Sequence, residues 1–323
     1  MSEIRYDPLF DEYVIIAPER LHRPMELRCE PTNERRRCPF CPGNEDLTPP
    51  EIYRLEKNGS WRTRVVPNLY KALQIETPFV YRQDEGEAWG GFGAHEIIVD
   101  TPRHVSDLQL NQEELFYWLL TIKERIEDLR KDRRLVMANV FKNHGPSAGA
   151  TQSHPHTQII ATPLMSRSQK RLFDRTFWHY KEHGVTLFER IHTPYILKES
   201  SRFKLFCPFA SFFPFESTIL SSTHSLVALD EEGMQDLAKL MSSLFTAMHK
   251  ELADVGFNLL FYLPPLNQNF ENEEYFHEIE RFFRFFIRIT PRIYTLGGFE
   301  ISSQCAINPL DPKEAAKLLG RHL

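Results

Sequence analysis

No stretch of the 323-residue chain reaches the roughly 18 uninterrupted apolar residues that a membrane-spanning helix needs. The most aromatic segment, RFFRFFIRI at 281–289, is broken by three arginines, so no membrane partner is expected. The first residues, MSEIRYDPLF, lack the apolar core of a signal peptide, and the expected compartment is the cytoplasm. Positive charge is also in deficit. With 39 Lys and Arg against 44 Asp and Glu the formal net charge is -5, which argues against a nucleic-acid partner and confines polyanion contacts to local patches. Cysteine is scarce and odd in number, five in all, which suits reduced thiols better than a disulfide framework. Low-complexity tracts and long Gly/Ser linkers are absent as well. What is present is a 41% hydrophobic fraction, ample for a sizeable core.

The chain repeats itself once, at a separation of about 120 residues. His95-Glu96-Ile97-Ile98-Val99-Asp100 reads as a strand and leads into Thr101-Pro102-Arg103-His104. Phe215-Glu216-Ser217-Thr218-Ile219-Leu220, followed by Ser221-Ser222-Thr223-His224, matches it without a gap, glutamate on glutamate and histidine on histidine. An amphipathic helix follows each copy. Leu115, Trp118, Leu119, Ile122, Ile126 and Leu129 share one face behind an Asn111/Glu114 capping box; Met234, Leu237, Met241, Leu244 and Met248 follow Asp230 as a cap. Each copy then closes with two strand-like runs, RLVMANVF and HPHTQIIATP, GFNLLFYL and FFRFFIRITP. The expected fold is α+β: a duplicated domain of mostly antiparallel sheet with flanking helices, its halves 1–170 and 171–323. The ungapped match sets His154, Pro155 and His156 against Phe282, Phe283 and Arg284, so only the first half is expected to be catalytic.

Alternation along a strand places His154, His156 and Gln158 on one face. Just before them, Asn143-His144-Gly145-Pro146-Ser147-Ala148-Gly149-Ala150-Thr151 is a loop of small residues whose free backbone N–H groups would approach a phosphate closely. An imidazole beside such a loop points to phosphoryl chemistry. Its nitrogen attacks phosphorus to give a phosphoramidate, which a second acceptor cleaves. The Gln158 amide would hold a non-bridging oxygen without transferring a proton to it. Two histidines on a strand are otherwise ordinary polar surface or part of a metal site; the loop and Gln158 favour chemistry at His156. Cys38-Pro39-Phe40-Cys41 is half of a tetrahedral zinc site, and His104 and His154 are the candidates for the other two ligands. One structural zinc per chain would then brace the catalytic strand.

Taken together, H-P-H-x-Q from His154 to Gln158, the preceding N-x-G-x-x-x-G from Asn143 to Gly149, C-P-x-C at Cys38 and Gly297-Gly298-Phe299-Glu300 resemble the galactose-1-phosphate uridylyltransferase family over nearly the whole chain. This branch of the histidine-triad superfamily has two similar halves and includes ADP-glucose phosphorylase. The resemblance implies His156 as nucleophile, Gln158 as phosphate-contacting amide, and zinc on Cys38, Cys41, His104 and His154. It implies substrate contacts at Asn143, Gly149 and Thr151, the last more often serine in the family. In Ala17-Pro18-Glu19-Arg20-Leu21-His22-Arg23-Pro24 it places Arg20 and Arg23 near phosphate. Asn68 would contact the nucleoside, with Leu69 where the family often has an acid. Glu300 would bind sugar hydroxyls in the partner subunit of a homodimer. A second metal site of some relatives, built on an H-x-H, is expected to be absent, since its positions are Phe282 and Arg284.

The implied reaction is a ping-pong exchange through a nucleotidyl-His156 intermediate, with UDP-glucose or UDP-galactose and a hexose 1-phosphate, galactose 1-phosphate in the namesake enzyme, as partners. The C-terminal GGFEISSQCAINP resembles the phosphorylase relative at least as much, which leaves base and acceptor open; inorganic phosphate would then replace the second sugar phosphate. A hydrolase is disfavoured because Gln158 stands where those enzymes carry a histidine. The non-enzymatic alternative is a zinc-braced nucleotide-binding protein.

Overall fold

The computed structural model describes residues 3–16, 37–83 and 85–323. In chain order its elements are β1 (Glu3–Asp7), β2 (Glu12–Ile16), β3 (Tyr53–Lys57), β4 (Ser60–Pro67), β5 (Tyr81–Gln83), β6 (Glu87–Trp89), β7 (Ala94–Val99), α1 (Gln112–Leu129), β8 (Met137–His144), β9 (His156–Thr162), α2 (Arg167–His183), α3 (Leu187–Arg190), β10 (Tyr195–Glu199), β11 (Phe203–Cys207), β12 (Ser217–Ser221), α4 (Glu231–Leu252), β13 (Phe257–Tyr262), α5 (Ile279–Phe282), β14 (Phe286–Pro291), α6 (Gly298–Ser303), β15 (Ala306–Asn308) and α7 (Pro312–Gly320). No helix among the described residues is long and apolar enough to cross a membrane.

The capping box forms as the sequence implies. Asn111 Oδ1 accepts the Glu114 N–H at 3.0 Å and Glu114 Oε2 accepts the Asn111 N–H at 3.0 Å, pairing two donors that the first turn of α1 would otherwise leave open. Asp230 caps α4 through the Gly233 N–H at 2.8 Å. Behind these caps Leu115, Trp118, Leu119 and Ile122 are wholly buried, as are Met234, Leu237, Met241, Leu244 and Met248. α1 and α4 pack against each other and on one face of the main sheet, so the apolar stripes of both halves close a single core.

That sheet has ten strands in the order β10-β11-β12-β14-β13-β8-β9-β7-β4-β3, every pairing antiparallel. Read outward from the central β8–β13 pair, the two wings run β8-β9-β7-β4-β3 and β13-β14-β12-β11-β10, which is the duplication expressed as topology. A second sheet joins the two ends of the chain, with β15 parallel to β2 beside β1.

The ladder corrects the ungapped register of the repeat. Asp100 N–H donates to the Pro155 carbonyl at 3.1 Å, and the equivalent bond in the second half is Ser221 N–H to Phe285 at 3.1 Å. The counterparts of His154 and His156 are therefore Arg284 and Phe286, two residues beyond the sequence match. Glu216 is the counterpart of His95, and Glu96 and Glu216 point to opposite faces: Glu96 pairs with Arg125 of α1 at 2.8 Å, Glu216 with Arg288 of β14 at 2.6 Å. An alignment without gaps cannot see the one- and two-residue differences between the loops, and a one-residue slip in a strand reverses its faces.

Candidate active site and metal centre

β9 begins at His156, where the chain leaves the Gly145–Ser153 loop. Gly145 (φ 76°) and Gly149 (φ 86°) adopt the left-handed conformations that a side chain resists, and a Cβ on Gly145 would lie 3.0 Å from the Gly256 Cα. The loop differs from the expected phosphate cradle in one respect. Its Ala148 and Ala150 N–H groups donate to the Gly145 carbonyl and its Gly149 N–H to Pro146, so these three close the turn and are not free for a ligand. Thr151 is exposed at the end of the turn.

His156 is buried, 6% exposed. Its Nδ1 lies 2.9 Å from the His154 carbonyl and can only donate to it, which leaves the lone pair on Nε2. Burial and the nearby Lys142 charge hold its pKa below the ordinary histidine value, against the His154 carbonyl, which favours the neutral ring. Phe40 walls the ring at 5.5 Å between centroids. Behind the strand lies a buried charge cluster. Lys142 Nζ is hydrogen-bonded to Asp100 and Asp107 and lies 3.4 Å from the His156 carbonyl. His144 Nδ1 reaches Asp107 at 2.8 Å and its Nε2 reaches Asp254 at 3.1 Å. Burial raises Asp100 to about 6 despite Lys142. At Asp107 burial is outweighed by Lys142 and His144, which bring it to about 2. Burial also opposes the charge on Lys142, but the two carboxylates more than offset it and its pKa stands above the ordinary lysine value.

Gln158 follows on the same face of β9. Its Oε1 lies 2.9 Å from His95 Nε2, and His95 Nε2 is 3.0 Å from the Asn68 amide nitrogen. On β8, Phe141 pairs with Gln158, and continuing that register brings Asn143 level with His156. Asn143 Oδ1 accepts from Asn258 Nδ2 at 2.8 Å, so its own NH₂ is left for a ligand.

Cys38, Cys41, His104 and His154 converge, with their ligand atoms all within 4.8 Å of one another. Cys38 Sγ and Cys41 Sγ lie 3.7 and 3.6 Å from His154 Nδ1, and Cys41 Sγ lies 3.3 Å from His104 Nδ1. Tetrahedral zinc, with bonds of about 2.3 Å to sulfur and 2.0–2.1 Å to nitrogen, would space such pairs roughly 3.6 Å apart. The outer nitrogens are already engaged, His154 Nε2 with the Thr101 carbonyl at 2.8 Å and His104 Nε2 with Ser153 Oγ at 2.9 Å, which turns both Nδ1 atoms inward. Burial and the adjacent Cys38 push Cys41 up to about 11, a cost that a bound dication would remove. The residues fit a metal ion. Burial, with the neighbouring histidines, lowers His154 to about 4, so it is available as a neutral ligand.

Of the residues named from sequence, His156, Gln158, Asn143, Gly149, Asn68 and the four metal candidates thus lie on or beside one loop–strand unit. Glu300 lies elsewhere in the chain, in α6 beside β15, where its Oε2 accepts the Gly297 N–H at 2.9 Å. Arg20 and Arg23 fall outside the described residues. Sequence reasoning passed over Phe40, His95, Lys142 with its two aspartates, and Asn258. Phe40 sits inside the C-x-x-C motif, and His95 shares the alternating face of β7 with Ile97, so both had a local signal; the pairing of Asn258 with Asn143 arises only from the β8–β13 contact.

In the second half the equivalent position is filled. The β1–β2 turn lays Phe10 against Phe286 at 6.0 Å and Tyr262 at 5.3 Å, with the Arg288 guanidinium 4.4 Å from the Phe10 ring. Where the first half has His95 and Gln158, the second has the Glu216–Arg288 ion pair.

Known proteins are similar to this chain along nearly its whole length. The profile of the galactose-1-phosphate uridyl transferase N-terminal domain matches residues 1–166. ADP-glucose phosphorylase of Arabidopsis thaliana is 31% identical over 98% of this chain and 92% of its own length. Galactose-1-phosphate uridylyltransferase of Thermotoga maritima is 26% identical over 99% and 98%. The crystal structure of the Arabidopsis phosphorylase with bound ADP-glucose superposes with a TM-score of 0.84 at 29% identity, covering 99% of this chain and 98% of that one. On the evidence of that full-length similarity and of the matched N-terminal domain, this chain is an enzyme of the galactose-1-phosphate uridylyltransferase family.

Proposed function

We propose that the protein transfers a nucleoside monophosphate from a nucleotide sugar to a phosphate acceptor through His156. The observation that carries this reading is the His156 ring itself: buried, tied at Nδ1 to the His154 carbonyl with its lone pair on Nε2, on the strand face that Gln158 shares and level with Asn143 of β8. Nε2 attacks the α-phosphorus, a P–N bond forms, and the bond from that phosphorus to the bridging oxygen breaks to release sugar 1-phosphate. The acceptor oxygen then attacks the same phosphorus and the P–N bond breaks, regenerating the imidazole. Gln158 and Asn143 donate to the non-bridging oxygens as charge builds on them. Gly149, Thr151, Arg20 and Arg23 are proposed as further phosphate contacts, and Asn68 as a nucleoside contact.

For donor and acceptor, the reading we favour is ADP-glucose and inorganic phosphate, giving ADP and glucose 1-phosphate. It rests on the similarity to ADP-glucose phosphorylase along nearly the whole of both chains. The second reading, uridylyl exchange between UDP-glucose and galactose 1-phosphate, rests on the family profile and the Thermotoga relative. Cys38, Cys41, His104 and His154 would hold one zinc ion, which supplies structural bracing: fixing His154 fixes the carbonyl that orients His156. A homodimer in which Glu300 serves the partner's site belongs to the same proposal. A panel of ADP- and UDP-sugars against phosphate and hexose 1-phosphates tests it. Phosphorolysis of ADP-glucose is the expected dominant activity, and turnover only with galactose 1-phosphate would select the uridylyltransferase.

A further inference from the structure

We infer that His95 is a positioning residue for the transfer step, acting through the amide of Gln158. The inference rests on the reading of His156 as nucleophile and on two hydrogen bonds to one ring. Ala72 N–H donates to His95 Nδ1 at 3.1 Å, and a ring that accepts at Nδ1 carries its proton on Nε2. That proton meets Gln158 Oε1 at 2.9 Å. The oxygen of the amide is thereby held, and its NH₂ is turned away from His95. A primary amide free to rotate would present oxygen and nitrogen to a phosphoryl group in turn, and its oxygen would repel the developing charge; His95 removes that wrong orientation.

The surroundings keep His95 in place. Asn68 N–H donates to the His95 carbonyl at 2.8 Å, and Asn68 Oδ1 accepts the Tyr70 N–H at 2.8 Å. The 68–72 segment thus grips the histidine by backbone and ring. With Asn68 Oδ1 committed, its NH₂ lies 3.0 Å from His95 Nε2, and that nitrogen is already a donor. The Asn68 N–H groups are then left for a different acceptor, and His95 sits between two amides that both offer donors to a bound nucleotide. The second half supplies an internal comparison. The counterparts of His95 and Gln158 are Glu216 and Arg288, locked to each other at 2.6 Å beneath Phe10, so the same two ladder positions interact in both halves but only the first leaves donors open.

The test is a double-substitution cycle on formation of the nucleotidyl enzyme, using ADP-glucose labelled at the α-phosphate, with UDP-glucose as a second donor. His95→Phe is expected to slow labelling about 10- to 100-fold, less than the roughly 100- to 1000-fold for outright loss of an oxyanion donor because the amide stays but loses its orientation, while donor Kd moves less than about threefold. In a Gln158→Ala background the same substitution is expected to cost less than about twofold, because the amide it orients is gone. His95→Gln, whose side-chain NH₂ can occupy the place of Nε2, is expected to restore labelling to within about fivefold of the parent, and it carries the cycle should His95→Phe fail to fold. Equal losses in both backgrounds, equal losses in the Phe and Gln variants, or no loss in either would overturn the assignment. Absence of label in the unsubstituted enzyme with both donors would instead overturn the nucleotidyl-His156 reading on which it rests.

Discussion

Replacing Lys142 by Met tests whether the charge cluster beneath His156 is held together as its geometry implies. The Lys142 side chain is 1% exposed, and its ion-pair partners Asp100 and Asp107 are 0% and 4% exposed. Methionine keeps most of the volume but strands two carboxylates in the interior. Removing one partner of a buried pair costs about 3–5 kcal/mol, a large share of the roughly 5–15 kcal/mol that stabilises a typical domain. The cost depends on pH, and its sign can be worked out. Asp100 stands at about 6 even with Lys142 present, and without the cation both folded carboxylates rise above their unfolded values. A raised carboxylate pKa destabilises fully above the folded value and ceases to do so as pH falls toward the unfolded one. In the parent, Asp107 at about 2 does the reverse, contributing stability above its unfolded pKa that is lost as pH falls. The gap between variant and parent in urea unfolding is therefore expected to be about 3–5 kcal/mol at pH 8 and to narrow by more than about 1 kcal/mol at pH 5. A gap below about 1 kcal/mol at pH 8, or one that widens on acidification, would refute the reasoning.

Three further outcomes follow from the same structure. Cys41→Ser is expected to lower bound zinc from about one equivalent per chain to near zero and to slow nucleotidylation more than tenfold, read by metal analysis and label incorporation; full activity without metal would remove the bracing role. Asn258→Ala frees the Asn143 amide and strands the Ala148 carbonyl, to which Asn258 also donates at 2.9 Å, and kcat/KM is expected to fall roughly tenfold. Unchanged kinetics would show that Asn143 needs no orientation. Arg288→Met leaves Glu216 buried without its partner and is expected to cost about 3 kcal/mol in urea unfolding while the rate of adduct formation stays unchanged, since the second-half pair has no part in the chemistry.

Much of this architecture was legible in the residues themselves. The helix caps at Asn111 and Asp230, the buried stripes behind them, and the C-x-x-C half of the metal cluster follow from local spacing, because capping and a two-cysteine knuckle are short-range, whereas His104 and His154 join the cysteines from distant parts of the chain. The register of the repeat was not legible. Glu96 and Glu216 align in sequence yet face opposite sides of the sheet, since their partners Arg125 and Arg288 come from elements far apart in the chain. The small-residue loop before His154 reads in sequence as offering free N–H groups to a phosphate, whereas three of those groups satisfy its own carbonyls, a closure that depends on the folded turn. His95 and Asn258 were assigned no role in the site for a related reason: each meets the oxygen of another amide, a relation that exists only once the strands are paired.

The central claim, that His156 carries the transferred nucleotide, is tested most directly by mass spectrometry of the enzyme trapped with α-labelled ADP-glucose in the absence of acceptor. The account predicts an acid-labile, alkali-stable adenylyl adduct on the peptide containing His156, discharged by inorganic phosphate and absent in His156→Ala. Turnover without any adduct, or with the adduct on another residue, would contradict it.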